Sequence, residues 1–452
     1  MPETEVAHND ARGERLPRTI GLVDAVAVLV GITIGSGIFR VPATVAGQLH
    51  APGPMLLCWV LGGLIALFGA LTVAELAGAL PRSGGIFEWL LESFGPLPAF
   101  LFGWTELAVI RASSLGATST IFSEYLGHFI PLTAMQVRYV AAALLVLIGA
   151  INYVGVKRAA VVTSVATVAK YVAVMGLGLL AFTASTSGAS HFTPVWDGGG
   201  LHLSLLATAL IPVMWTYDGW ADLAFMGGEV KDPQRTLPLA LILGTVCVML
   251  VYLVVNVGFM YVLTLPEMAH SRLIAATAAE HIPLFGGIGA AVISGIVLLS
   301  TFSGLNATMM TGPRIFFAMA ERRLFFKAVA RVSPRFKSPS VAIWLATGLG
   351  VLYVLMNDFA QLADKFILGI WPFYALAVAG VFVLRRKRPD LPRPYRVWGY
   401  PAVPLLFLAA SLAMVANALW TDPVNTGVTL LIILAGVPLF YLWKFIQKAR
   451  AA

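Results

Sequence analysis

The chain consists largely of continuous apolar runs of about 20 residues, separated by short polar connections. An α-helix of that length crosses the ~30 Å hydrocarbon core of a bilayer. The apolar positions do not alternate with polar ones, as they would in the strands of a membrane β-barrel. The pattern therefore predicts an all-α polytopic membrane protein with twelve transmembrane helices. The predicted spans are 19–47, 54–80, 96–124, 136–154, 159–184, 201–229, 236–263, 285–318, 340–356, 360–384, 398–420 and 425–446.

The first predicted span contains a stretch that disfavours an uninterrupted helix. Gly31, Gly35 and Gly37 lie within seven residues, and Pro42 follows them. A glycine in a helix interior costs roughly 0.5–1 kcal/mol relative to alanine. Backbone groups freed by a break are costly in hydrocarbon unless they are buried in protein or line a cavity. We therefore predict a break that belongs to a binding site; the alternative is a glycine seam that only packs helices.

A second interruption lies in the sixth span, where Pro212 precedes the stretch Trp215–Trp220. Five spans separate the two breaks, so the halves that they begin have opposite orientations in the membrane. Interrupted spans at corresponding positions of two inverted halves point to the central site of a transporter. We predict a first repeat at 19–184, a second repeat at 201–384, and two further helices within 398–446.

Composition and charge agree with a membrane protein and give its orientation. Hydrophobic residues make up 59% of the chain and charged residues 12%, against about 25% charged in soluble domains. The net charge of +8 does not indicate nucleic-acid binding, because the basic residues lie in short connections. With a cytoplasmic N-terminus, about 23 of the 30 lysines and arginines fall on the cytoplasmic side. Both termini, a disordered tail at 1–18 and a short tail at 447–452, are then predicted to be cytoplasmic.

Several stretches resemble one known family. Gly31–Phe39, which ends in Gly-Ser-Gly-Ile-Phe, resembles the first-helix signature of the amino acid–polyamine–organocation superfamily. Trp215–Trp220, with the following Gly228–Pro238, is similar to the sixth helix and next loop of its L-type amino acid transporter family and bacterial relatives. Trp104–Arg111 and Gly312–Phe317 resemble parts of the third and eighth helices. The resemblance implies a leucine-transporter-like 5+5 inverted repeat with discontinuous helices 1 and 6, two extra helices, and alternating access.

An amino acid presents both a carboxylate and an ammonium, and a broken helix offers groups for each. Freed N–H groups and the positive dipole end attract the carboxylate, whereas freed carbonyls attract the ammonium. The resemblance implies that Gly35, Ser36 and Gly37 bind the carboxylate. It also implies that carbonyls near Thr33 and within Trp215–Asp218 bind the ammonium. The implied substrate-binding residues are Thr33, Gly35, Ser36, Gly37, Ile38, Trp215, Thr216, Asp218 and Trp371.

Three of these residues are expected to set selectivity. Trp215 matches an aromatic gate of the family, with a bilayer-interface tryptophan as the alternative. Trp371 matches another pocket-side aromatic, with ordinary helix packing as the alternative. Asp218 departs from animal L-type members, which have a small residue there, and an ionisable group inside a span is a functional hypothesis by default. It would hold the ammonium, pair with a cationic side chain or titrate; a structural pairing is the alternative. Together with Trp215 it predicts a small pocket.

Lys170 lies in the middle of the fifth span, too deep to reach the interface easily. In sodium-coupled relatives a sodium ion links helices one, five and eight; in sodium-independent relatives a lysine on helix five takes its place. Lys170 matches that lysine, and we expect its ammonium to donate to carbonyls around Gly31 and Ile34. One alternative is a helix-end lysine in a misplaced span. Another is a role in proton coupling, because burial disfavours the charged form of a lysine. The hydroxyl partners expected from helix eight are Ser300, Thr301 and Ser303.

Glu106 and Arg111 are two further charges inside the third span. Because a spacing of five residues is poor for a direct pair on an α-helix, we expect each to have a structural partner on a neighbouring helix.

These observations predict a sodium-independent exchanger of small to medium neutral L-amino acids. Proton-coupled uptake, or transport of cationic amino acids or polyamines through Asp218, is the second interpretation. A membrane enzyme or sensor is a remote one, because no nucleophile–base or metal-ligand spacing is present and all seven histidines lie in termini, loops or span ends. No cofactor and no metal are expected.

The lipid bilayer and the amino acid substrate are the expected partners, and a multi-pass prokaryotic inner-membrane protein is the expected location. Animal members of the family join a heavy chain through a cysteine between spans three and four. The loop Tyr125–Gln136 has no cysteine, since Cys58 and Cys247 both lie in predicted spans. A disulfide-linked heavy chain is therefore not expected.

Overall fold

The computed structural model describes residues 18–81, 84–154, 159–184, 188–196, 202–321, 324, 329, 333, 335–336 and 338–451. The predicted disordered tail lies outside this part of the chain except for Arg18. Helices α1 to α17 are, in order, Leu22–Thr33, Val41–Leu49, Pro52–Ala79, Ile86–Phe94, Pro96–Thr105, Ala112–Leu126, Ala134–Val154, Ala159–Leu180, Leu203–Tyr217, Pro233–Val262, Leu265–His270, Ile274–Glu280, Gly289–Glu321, Ser340–Met356, Phe359–Lys387, Ala402–Thr421 and Pro423–Ala451.

Seven helical stretches among the described residues are long and apolar enough to cross a membrane, which makes this a multi-pass membrane protein. They are Pro52–Ala79, Ala134–Val154, Pro233–Val262, Pro283–Met310, Phe359–Lys387, Ala402–Thr421 and Pro423–Gln447. The first and sixth predicted spans do not form one long helix each, because both are broken. The count of twelve spans and the inverted repeat therefore remain predictions.

Some connections contain helices that the apolar runs did not predict. The connection after α3 contains α4, which buries Trp89 and Leu90. The connection after α10 contains α11 and α12, and α11 packs on α2. These helices are short or have one apolar face, so they produce no long apolar run in the sequence.

The packing behind the breaks centres on α10. This helix contacts α3 along its length and also contacts α1, while α9 packs against α2 and α3. Three buried aromatic rings fill the space between these helices: the Trp59 and Tyr252 ring centroids are 5.8 Å apart, and those of Tyr217 and Tyr252 are 5.1 Å apart. Edge-to-face contacts at these distances are favourable. The cluster gives both breaks a rigid support.

Backbone hydrogen bonds join the segment before α1 to the segment that follows the second break. Thr19 N donates to Glu229 O over 2.9 Å, and Lys231 N donates to Ile20 O over 2.9 Å. Ile20 and Val230 thus form an isolated parallel bridge. The beginning of the first helix and the end of the second break are therefore attached to each other.

Candidate functional site

The two helix breaks lie directly against each other. α1 ends at Thr33, and a 3₁₀ turn at Gly37–Phe39 precedes α2. A Cβ atom on Gly37 would lie 2.7 Å from Oγ1 and 3.0 Å from Cα of Thr216, closer than van der Waals contact. Gly219, just after α9, has φ +106°, and a Cβ there would lie 3.2 Å from Thr33 Cα. Glycine at both positions therefore allows the two backbones to touch.

The hydroxyl group of Tyr252 links the two breaks. It lies 2.8 Å from the carbonyl oxygen of Thr33 and 2.9 Å from that of Thr216. Both oxygens belong to helix ends, where carbonyls lack partners within the helix. The side chain is fully buried on α10. Sequence reasoning missed Tyr252, because a tyrosine in an apolar span is indistinguishable from a packing residue.

The first break frees backbone groups from the helix and contains one buried hydroxyl group that has no hydrogen-bond partner in the described structure. Gly35 N donates to Thr33 O over 2.7 Å, and Ser36 begins the 3₁₀ turn without a side-chain cap. A Cβ on Gly35 would meet only Thr33 O, 3.8 Å away, so open space adjoins this glycine. The buried Oγ1 of Thr33 has no hydrogen-bond partner among the described residues. Buried polar atoms are normally paired, so this hydroxyl is available to a ligand.

The second break places an aspartate and a tryptophan at the end of α9. Asp218 has extended backbone (φ −63°, ψ 155°), and its Oδ1 accepts a 2.7 Å hydrogen bond from the Tyr374 hydroxyl. The ring of Trp215 contacts that of Phe359 edge-on, with centroids 5.3 Å apart. The Thr216 hydroxyl donates to Pro212 O within α9. Asp218 therefore already has one polar partner, on α15.

A layer of contacts covers the breaks on the side of α2. The Arg40 guanidinium pairs with Glu124 at 3.0 Å and lies 5.3 Å from the centroid of the Phe359 ring. The Tyr125 hydroxyl donates to Phe39 O over 2.8 Å. Since Phe359 also contacts Trp215, this layer joins α2, α6, α9 and α15 above the break.

Trp371 lies on α15 and contacts residues behind the second break. Its ring stacks on Phe407 with centroids 5.2 Å apart and meets Tyr374 edge-on at 6.1 Å. It is 2% exposed, and its Nε1 has no hydrogen-bond partner in the described part of the chain. These contacts connect Trp371 to Asp218 through Tyr374. Its part in substrate binding remains a prediction.

Lys170 lies on α8 and is 8% exposed. Its Nζ donates to Gly31 O over 3.1 Å, which is one of the contacts expected from the sequence. The three residues of α13 whose hydroxyl groups were expected to contact Lys170 are in different surroundings. Thr301 donates to Val297 O within its own helix, and Ser300 and Ser303 are buried. The described contact thus braces the last turn of α1, whereas a link to α13 remains a prediction.

The expectation for Glu106 and Arg111 was wrong. Residues Glu106–Arg111 form a π-helical turn, and Arg111 pairs directly with Glu106. A π turn brings residues i and i+5 together, so the spacing that is poor on an α-helix becomes favourable here. The guanidinium also lies against Gly312 of α13, where a Cβ would be 2.6 Å from Arg111 Nε.

Asp222, which sequence reasoning passed over, joins this charged group. It lies in the 3₁₀ segment Asp222–Glu229 and interacts electrostatically with Asp218, Arg111 and Glu106. Glu106 and Asp222 thus both interact with the Arg111 guanidinium, and Asp218 lies near both of these carboxylates. Asp222 follows Asp218 by four residues, which was the available signal. No group of three or more potential metal ligands of the His, Cys, Asp or Glu type occurs among the described residues.

A multi-pass helical protein with two broken helices that face each other has the architecture of a membrane transport protein. A family model described as Amino acid permease matches residues 20–442, so the chain belongs to this family. The Serine/threonine exchanger SteT of Bacillus subtilis is 30% identical over 437 residues, covering 96% of this chain and 98% of that protein. The b(0,+)-type amino acid transporter 1 of Mus musculus is 30% identical, covering 95% and 88%. The Large neutral amino acids transporter small subunit 2 of Mus musculus is 30% identical, covering 99% and 84%. All three are named as transporters rather than enzymes.

Proposed function

We propose that the chain is a sodium-independent secondary transporter that exchanges small to medium neutral L-amino acids by alternating access. The observation that supports this most is the contact of the two breaks through Gly37, Thr216 and Tyr252. It brings freed N–H groups and freed carbonyls together at one place, as a zwitterion requires. Relatives named as a serine/threonine exchanger and as a large neutral amino acid transporter support the substrate class.

In the proposed complex, the substrate carboxylate binds at the start of the 3₁₀ turn. The first N–H groups of a helical turn have no partner within that turn, and Gly35 leaves space beside them. The hydroxyls of Ser36 and Thr33 supply further donors. A carbonyl oxygen has two lone pairs. The Thr216 carbonyl, which accepts from Tyr252, can therefore also accept from the substrate ammonium, whereas the Thr33 carbonyl already accepts from both Tyr252 and Gly35 N.

Selectivity in this proposal comes from the side chains around the backbone site. Trp215 covers the substrate side chain and limits its size, with Phe359 behind it. Asp218 adds negative charge near the ammonium, and Tyr374 fixes the orientation of its carboxylate. Trp371 supports Tyr374 from behind.

Lys170 takes the place of a sodium ion in the proposed mechanism. A fixed ammonium group at Gly31 O holds the end of α1 without any ion from solution. Its charge remains in place through the cycle, so that occupancy by substrate drives the change of state. Exchange then follows if the empty carrier rearranges slowly.

The charged group beside the second break supports one other function. Asp218, Asp222 and Glu106 lie near one another, and Arg111 interacts with the last two of them. Such an excess of carboxylates suits proton coupling or a cationic substrate. Proton-coupled uptake, or transport of cationic amino acids or polyamines, is therefore our second candidate.

The twelve-span topology, with both termini cytoplasmic in a bacterial inner membrane, is part of the proposal. So is function without a disulfide-linked heavy chain. Cys58 is buried and Cys247 is exposed on α10, and neither lies in the loop between α6 and α7.

Counterflow into proteoliposomes tests the proposed function. We expect uptake of labelled alanine or leucine to require unlabelled amino acid inside and to be unaffected by sodium or by a pH gradient. Uptake into empty vesicles driven by an inward proton gradient would support the second candidate instead. Competition by arginine and putrescine separates the substrate classes, and dominant inhibition by either would overturn the assignment to neutral amino acids.

A further inference from the structure

A separate cavity of about 200 Å³ lies between α9, α15, α16 and α17. It is at the end of the bundle where α9, α15 and α17 begin and α16 ends. A single water needs only about 10–15 Å³ of such space, so the cavity is large enough for a small organic molecule. Its polar lining includes Gln361, Asp364, Lys365, Asp422, Asn425 and Thr426.

The cavity carries charges of both signs, and no direct ion pair joins them in the described part of the chain. Lys365 is 8% exposed, and its ammonium has one hydrogen-bond partner in the described structure, Asn425 Oδ1, at the long distance of 3.5 Å. Asp364 has no hydrogen-bond partner among the described residues. Adjacent residues on an α-helix point about 100° apart. Both side chains line the cavity and influence each other electrostatically, but no direct ion pair joins them.

The neighbouring polar groups are already paired. Asp422 accepts hydrogen bonds from N and Nδ2 of Asn425, at 3.2 and 2.7 Å. The Thr426 hydroxyl donates to Ala418 O over 3.1 Å. Asp364 and Lys365 are thus the charged groups of the cavity with the fewest hydrogen-bond partners, whereas each carboxylate oxygen of Asp422 already accepts one hydrogen bond from Asn425. Burying a charge without a full set of partners is unfavourable, so both favour an occupant of complementary charge.

The cavity also lies next to the residue proposed as the gate. Ile211 lines it, and Trp215 is four residues further along the same face of α9. Four residues of an α-helix correspond to about 6 Å along its axis. From α15, Gln361 lines the cavity two residues after Phe359, the residue that contacts the Trp215 ring. An occupant would therefore be one helical turn from the gate.

We propose that this cavity is a second recognition site for an amino acid zwitterion, in which Lys365 binds the carboxylate and Asp364 binds the ammonium. The inference rests on the proposed function, since it assigns to the cavity the same substrate class as the helix breaks. The cavity holds an amino acid one turn before the gate and raises its local concentration there. A headgroup of an ethanolamine phospholipid has the same pair of charges, and the test distinguishes the two sources.

Equilibrium binding of labelled L-alanine to the purified full-length protein, in nanodiscs of phosphatidylcholine alone, tests the proposal. We expect two alanines per wild-type chain. Asp364→Asn and Lys365→Met should each reduce this to one, and Gly37→Ala, which disturbs the breaks, should remove the other. Lys444→Met, at an exposed lysine near the opposite end of α17, is the matched control and should retain two. Size-exclusion profiles and thermal unfolding establish that each variant is folded, and Lys365→Arg should restore binding that Lys365→Met removes.

The possible failures can be told apart. If the wild type binds one alanine per chain, and Gly37→Ala loses it while Lys365→Met retains it, the second site is overturned. The proposed function is then unaffected. If the wild type binds one alanine, and only the cavity variants lose it, the role of the breaks is overturned and the cavity site remains. If Lys365→Met leaves alanine binding unchanged but releases co-purified ethanolamine lipid, the cavity is a lipid headgroup site and the proposal is wrong. Absence of any amino acid binding by the wild type, together with absent counterflow, removes the proposed function itself.

Discussion

Gly37 and Thr216 approach each other so closely that no Cβ fits between them, whereas a Cβ on Gly35 would meet only Thr33 O at 3.8 Å. Two glycines of one motif therefore have different tasks. We expect Gly37→Ala to force the breaks apart, lower the free energy of unfolding by about 1–3 kcal/mol and abolish exchange. Gly35→Ala should leave stability within about 0.5 kcal/mol while weakening substrate binding. Thermal unfolding and labelled-alanine exchange on the same samples check this, and equal destabilisation by both would contradict it.

Removal of the Tyr252 hydroxyl should loosen both breaks at once. Tyr252→Phe leaves two buried carbonyls without their shared donor, which costs about 1–3 kcal/mol. We expect a lower unfolding temperature and a reduced exchange rate. Tyr171→Phe is the matched control, because the buried Tyr171 hydroxyl has no hydrogen-bond partner in the described part of the chain. If both substitutions behave alike, the Tyr252 hydroxyl does not hold the breaks together.

Lys170→Ala should impair transport in a protein that still folds. A hydrogen bond from a charged donor contributes about 1.5–3 kcal/mol, and each 1.4 kcal/mol corresponds to a factor of about ten. We therefore expect exchange to fall at least about tenfold. Radiolabelled exchange with and without sodium is the measurement, and Lys444→Met is a control for the loss of one positive charge. Wild-type turnover in Lys170→Ala would remove this lysine from the mechanism.

The charge of Asp218 can be separated from its hydrogen bond to Tyr374. Asp218→Asn retains an acceptor for Tyr374 but removes the charge, and Tyr374→Phe does the reverse. We expect the first change to raise KM for alanine about tenfold, which corresponds to 1.4 kcal/mol, and to weaken competition by arginine. The second should have a smaller effect on KM. Loss of proton-driven uptake in Asp218→Asn, with exchange unchanged, would favour the second candidate function.

The positions of the breaks could be predicted from sequence, because clustered glycines disfavour a continuous helix. The proline was a weaker signal, since Pro212 lies inside α9 and the break follows Tyr217. A polar partner for Lys170 could also be predicted, because a lysine deep in an apolar run must find one. The family resemblance implied that this partner lies on α1. The pairing of Glu106 with Arg111 could not be predicted, because it depends on a π turn and no residue type indicates such a turn. Tyr252 and Gly219 were missed for a related reason. Each matters because it approaches the backbone of another segment, and a sequence does not show which segments lie close together.

The cavity between α9, α15, α16 and α17 was equally inaccessible to sequence reasoning. Asp364 and Lys365 are adjacent residues of opposite charge, and in a sequence such a pair suggests mutual neutralisation. Only the packing of the four helices shows that both side chains line one cavity without a direct ion pair between them.

The bridge between Ile20 and Val230 has a mechanical consequence. It fastens the free end of one half-helix to the free end of the other, so neither can swing alone. Each half-helix lies beside a glycine, Gly35 in one and Gly219 in the other, where a change of backbone angle meets little steric resistance. We therefore expect the two half-helices to change their tilt together during transport. A label attached to either strand of this bridge would report the motion of both.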